Sequence, residues 1–174
     1  MPTLFPYAVS GVDGEPTDTW TPGATFGSAT YDHREEEYVG ALWPVYDETY
    51  GHRIYRGVKN TSAAILAASR MVATEAGETN MDHVTLCGAN EDRPRVRGIT
   101  IGAIAVGDCG WVVARGKAVA EAVSSDVTAD TTIATDANGL VKDGAYGTQD
   151  IVGSSLALID VSVLATGTVY IDVL

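Results

Sequence analysis

The chain has 174 residues, with 11 Lys and Arg against 23 Asp and Glu and a formal charge of −12. Its 45% apolar and 20% charged residues are the balance of a globular chain that can bury a core, not of a disordered one. A chain this negative is poorly suited to nucleic acid, because phosphate binding depends on Lys and Arg displacing counterions, so no DNA or RNA partner is expected.

The start, Met1-Pro2-Thr3-Leu4-Phe5-Pro6-Tyr7, has neither a basic n-region nor an apolar h-region and reads as cytosolic in origin. The apolar runs at 99–106 and 156–164 fall short of the roughly 20 residues a spanning helix needs, so no membrane partner is expected. Residues 1–50 carry most of the aromatics and Pro2, Pro6, Pro16, Pro22 and Pro44, and their apolar positions follow neither a helical nor a strand period. They read as an extended N-terminal arm. Its rings, Phe5, Tyr7, Trp20, Phe26 and Trp43 among them, either drop into pockets on another surface or fold back to complete the chain's own core.

Residues 51–174 read as a single mostly β domain, a β-sandwich or β-barrel-like unit with at most one short helix. Strands are expected at 52–59, 84–87 and 96–106. Gly107-Asp108-Cys109-Gly110 then turns the chain into Trp111-Val112-Val113-Ala114-Arg115, as a hairpin. The one helix is expected at 61–73, capped by Thr61 or Ser62, with Ala63, Ala64, Ala67 and Met71 on one face. Residues 99–106 are apolar on both faces, which places them centrally in a sandwich or barrel or under another subunit. Segments 131–135 and 139–142 flank a turn at Asp136-Ala137-Asn138-Gly139. At the C-terminus, Ala157, Ile159, Val161 and Val163, then Val169, Ile171 and Val173, share one buried face, with Ala165-Thr166-Gly167-Thr168 as the turn between them.

Nothing in the sequence assembles a reactive centre. There is no G-x-S-x-G elbow, and His33, His52 and His83 stand far apart. His83 and Cys87 have i, i+4 spacing without two further zinc ligands nearby. Glu35-Glu36-Glu37 and Asp126, Asp130, Asp136 and Asp143 do not follow a calcium-loop pattern, and Gly98-Ile99-Thr100-Ile101-Gly102 is not a phosphate loop. No catalytic residue, metal or cofactor is expected. Cys87 and Cys109 are expected reduced and buried. Arg93, Arg95 and Arg97 alternate along an extended segment and put three guanidiniums on one face. That stripe either docks on an acidic partner or pairs internally with Glu91, Asp92 and other acids, and internal pairing is the commoner outcome. The candidate contact residues are therefore Phe5, Tyr7, Trp20, Phe26, Trp43, Arg93, Arg95, Arg97 and Trp111.

The passage Tyr50-Gly51-His52-Arg53-Ile54-Tyr55-Arg56-Gly57-Val58-Lys59-Asn60, the Ala-rich stretch after it and the Gly-Trp-Val hairpin of 96–116 resemble small virion structural proteins of tailed bacteriophages. The likeness runs over roughly residues 36 to 174, through Val127-Thr128-Ala129-Asp130 and the turn at 136–139. It implies a head decoration (cement) protein: non-enzymatic, homotrimeric, assembled in the host cytoplasm and seated on the outer capsid surface against the major capsid protein. A tail or head-fibre component is the alternative within the virion, and a small β-barrel ligand-binding module or enzyme the alternative outside it.

Overall fold

The computed structural model describes residues 39–122, 127–147, 149–157, 159 and 165–174. Phe5, Tyr7, Trp20 and Phe26 lie outside the described residues, as do Val161 and Val163. β1 (Leu42–Asp47) and β2 (Gly51–Asn60) form an antiparallel hairpin that sets Trp43 opposite Tyr55 and Tyr46 opposite His52. Trp43 and Val45 pack against the main core while Leu42, Pro44 and Tyr46 point to solvent, the alternation of a strand with one wet face. An arm boundary at residue 50 therefore cuts through a hairpin, and residues 42–47 belong to the sheet.

Five strands close on themselves. β2 pairs in parallel with β4 (His83–Leu86), β4 with β3 (Met71–Thr74), β3 with β5 (Val96–Thr100) and β5 with β6 (Cys109–Glu121), and β6 returns to β2. The last four pairings are antiparallel. Closure removes the free edges that an open sheet would leave. Val58, Val72, Val84 and Val112, from four of the five strands, form one buried cluster with Leu66 and Ile104, and Leu86 packs against it. The fifth strand, β5, contributes Gly98, at φ 152°, where a Cβ would stand 2.5 Å from the Val113 carbonyl oxygen and 2.8 Å from Val112. A barrel this narrow is filled by small β-branched side chains, which explains the Ala, Val and Gly composition of the core strands.

β6 is long enough to serve two units. Residues 109–114 are buried without interruption, because Val112 faces the barrel interior while Trp111 and Val113 join the outer core. From Arg115 the burial alternates: Arg115, Lys117 and Val119 are exposed while Gly116, Ala118 and Ala120 are covered. This half pairs with β10 (Thr166–Asp172), which pairs with β9 (Gly153–Ser155) and through it with β7 (Thr132–Thr135) and β8 (Val141–Asp143). A single bridge between Ala122 and Val141 brings β8 back to the end of β6. The second unit packs its inner face, with Ile133, Val141, Val169 and Ile171, into one cluster with the barrel residues Tyr55, Met71 and Val96. Among the described residues the chain is mostly β, with ten strands in one continuous sheet and two single-turn 3-10 helices.

Three sequence expectations change. No helix forms at 61–73: Asn60 and Ser62 capture the local backbone with their side chains, and Met71–Thr74 is strand β3. The strand expected over 96–106 ends at Thr100, and 101–107 leaves the sheet apart from one bridge, Leu66 to Ile104. Thr166, Gly167 and Thr168 are not a turn but the first half of β10, paired with Glu121, Ala120 and Val119. Of the C-terminal face the alternation predicts, Ile159, Val169, Ile171 and Val173 are buried, while Ala157 is exposed, outside any strand. The turn at 136–139 also forms, with Asp136 accepting a hydrogen bond from the Ala137 N–H and Asn138 at φ 60°.

Candidate interaction surface

Two connections leave the same end of the barrel, 61–70 between β2 and β3 and 101–108 between β5 and β6. Leu66 and Ile104 hydrogen-bond to each other in both directions, at 3.0 and 2.8 Å, and are fully buried against the interior valines. Their neighbours turn outward: Ile65 is 62% and Val106 53% exposed. Around them Ala63, Ala64, Ala67, Ala68, Ala103 and Ala105 are also exposed. Neither 61–69 nor 101–107 contains a charged residue, and Arg70 and Asp108 flank them, so this barrel end of an acidic chain presents a neutral, apolar patch.

This end is held rigidly. Asn60, fully buried at the end of β2, donates from Nδ2 to the carbonyls of Ala64 and Ile104, both at 2.9 Å, and its Oδ1 accepts from the Ser62 N–H and hydroxyl. On the other side the Thr100 hydroxyl donates to the Ala67 carbonyl at 2.6 Å and accepts from the Arg70 N–H. Gly107 N–H closes the second connection on the Asn60 carbonyl. Every one of these bonds spares the exposed apolar side chains and fixes the backbone that carries them.

The arginine stripe is resolved by internal partners. Pro94 and Asp92 start a 3-10 turn at Arg93–Arg95, so the three side chains do not share an extended face. Arg95 pairs with Glu91 at 2.7 Å and donates to the Thr74 carbonyl, and Arg93 donates to the Asp172 carbonyl. Arg97 is only 6% exposed, with Nε donating to the Thr74 hydroxyl and the Met81 carbonyl. Burial lowers its pKa from the ordinary guanidinium value, nearby Arg56 adds to that, and Asp82, itself 3.7 Å from Arg56, opposes it.

Of the aromatic candidates in view, Trp111 is a core residue at 3% exposure rather than a contact residue, because β6 is covered on both faces where it stands. Trp43 is half-buried against it. Cys87 and Cys109 are both buried. Among the described residues no three His, Cys, Asp or Glu side chains are placed to hold a metal ion, and no helix is long and apolar enough to cross a membrane. Ile65 and Val106 were the residues missed by sequence reasoning. The available signal was the absence of charge over 61–69 and 101–107 in so acidic a chain.

These features define a small mostly β protein: a closed five-stranded barrel that shares its longest strand with a second antiparallel unit and presents one uncharged end. No family model matches the chain, and no curated protein matches it. Among solved structures it is similar to the head fiber gp8.5 N base in bacteriophage phi29, at a TM-score of 0.51 and 13% identity over 67% of this chain and 93% of that one. At that identity the likeness is one of fold.

Proposed function

We propose that this chain is a non-enzymatic structural protein of a bacteriophage virion, seated on the outer surface of the head against the major capsid protein and assembled there as a homotrimer. The observation that carries this reading is the fold shared with almost the whole of a head fiber base. That likeness favours the base of a head fibre over a free-standing decoration protein; both would use the same seat on the capsid, and they differ in whether a fibre projects from it. The charge agrees with an outward position: a surface at −12 is repelled by packaged DNA and suits the solvent face of a capsid. Small contacts repeated by symmetry give such a protein its hold, since linked contacts must break together for release.

Electron cryomicroscopy of particles made with and without this chain tests the proposal. Density lost from the outer head lattice when the chain is missing is the expected result, with a projecting fibre marking the base and a bare knob marking decoration. Density lost only from the tail, or from no part of the particle, overturns it.

A further inference from the structure

We infer that the uncharged barrel end, centred on Ile65 and Val106, is the surface on which a second copy of this chain docks. The inference rests on the self-assembly in the reading above and assigns it to a place. Copies of one chain at −12 repel each other wherever their carboxylates meet. The segments 61–69 and 101–107 carry no charge, and the charges that flank them are Arg70, paired with Glu121, and Asp108, so two copies that meet over these segments face each other with neutral side chains at the centre of the contact. A basic partner, by contrast, would gain its attraction from the acidic faces and nothing from this one.

The surface also has the build of an interface between copies. Its alanines allow two backbones to approach closely, while Ile65 and Val106 stand out from them as anchors. Both anchors sit beside buried plugs, Leu66 and Ile104, whose mutual hydrogen bonds fix the backbone, and Asn60 and Thr100 fix it further. A contact surface already ordered in the free chain loses little conformational entropy on docking. An exposed apolar patch rimmed by polar residues is also a standing aggregation hazard unless something covers it.

The test measures the full chain by sedimentation velocity over a range of concentration at low and high ionic strength, beside Ile65→Glu, Val106→Glu and, as a control away from this end, Tyr146→Glu. The wild type and the Tyr146→Glu chain are expected to self-associate, more strongly at high salt, where repulsion is screened. Each barrel-end variant is expected to weaken association by about tenfold or more, with an unchanged circular dichroism spectrum. Hydrogen exchange on the wild type supplies a readout without substitutions: protection over 61–69 and 101–107 is expected to rise with protein concentration. A wild type that stays monomeric, or barrel-end variants that associate as it does, overturns the inference. Head binding measured in parallel separates the two readings. A monomeric chain that binds heads and loses that binding with Ile65→Glu makes this end a capsid contact, sinking the inference alone. A chain that associates through this end but ignores heads sinks the virion reading alone.

Discussion

The rings of Trp43 on β1 and Trp111 on β6 meet edge to face, their centroids 5.7 Å apart and their planes at 79°. Trp111 is the largest aromatic in the outer core, and Trp43 supplies the cover that the β1–β2 hairpin brings to it. Truncating Trp111 to Ala is expected to cost about 3–5 kcal/mol, as for other buried large aromatics, and Trp43→Ala less, because Trp43 is only partly buried. In a double-mutant cycle followed by urea unfolding, the coupling between them is expected at about 0.5–1.5 kcal/mol. The same contact means that a chain lacking residues 1–50 loses a sheet strand and uncovers Trp111, so its thermal midpoint is expected to fall well below that of the full chain.

Gly116 marks where β6 passes from the barrel to the second unit. Its φ is 109°, and a Cβ there would lie 2.6 Å from the His52 carbonyl oxygen and 2.9 Å from Cγ of Arg53, beside the irregular step in β2 between Ile54 and Tyr55. Gly116→Ala thus meets both a disfavoured backbone conformation, about 1–3 kcal/mol, and an atomic overlap with fixed backbone. Unfolding titrations are expected to show a loss at or above that range. A change below about 0.5 kcal/mol, the scale of an ordinary surface substitution, would mean the strand is free to move away.

Asn60 is the polar centre of the barrel end. Asn60→Asp keeps the acceptor for Ser62 but removes the two donations, leaving the Ala64 and Ile104 carbonyls without them. The Ile104 carbonyl keeps the Leu66 N–H and the Ala64 carbonyl the Ser62 hydroxyl, so at about 0.5–1.5 kcal/mol for each hydrogen bond lost the variant is expected to lose about 1–3 kcal/mol. Amide exchange over 61–66 is expected to speed up before the strands do, since the bonds lost hold the connection and not the sheet.

Runs of β-forming residues between turn signals made several strands legible, and alternation did so for the last one, where one face is wet. Val169, Ile171 and Val173 are buried and Tyr170 is exposed, as period two requires. It failed where partner choice, not pattern, decides. The Ala-rich 61–73 run has good helix formers, yet the buried Asn60 and Ser62 offer its backbone better-placed partners. The turn residues of 166–168 became strand because Val119, Ala120 and Glu121 already stood ready to pair with them. The Arg93, Arg95 and Arg97 spacing was visible, but whether their partners were internal depended on Thr74, Met81 and Asp172, distant in sequence. The neutral barrel end joins two segments about forty residues apart, a relation no local period carries.

Cys87 links stability to alkaline pH. Burial pushes its thiol far above the ordinary range, Glu91 pushes it further and Arg95 pulls it back. The folded chain therefore keeps the proton that the unfolded chain releases near pH ~8.5, so the unfolded state binds fewer protons above that point and stability falls as pH rises. Below it the contribution is fully present. The difference in unfolding free energy between the wild type and Cys87→Ala is expected to narrow above about pH 8.5, by up to about 1.4 kcal/mol per pH unit. Native Cys87 is expected to resist thiol reagents until denaturant is added. A difference that stays flat across this range, or rapid labelling of the native thiol, would place Cys87 in a wetter setting than the cluster with Met71 and Val96 gives it.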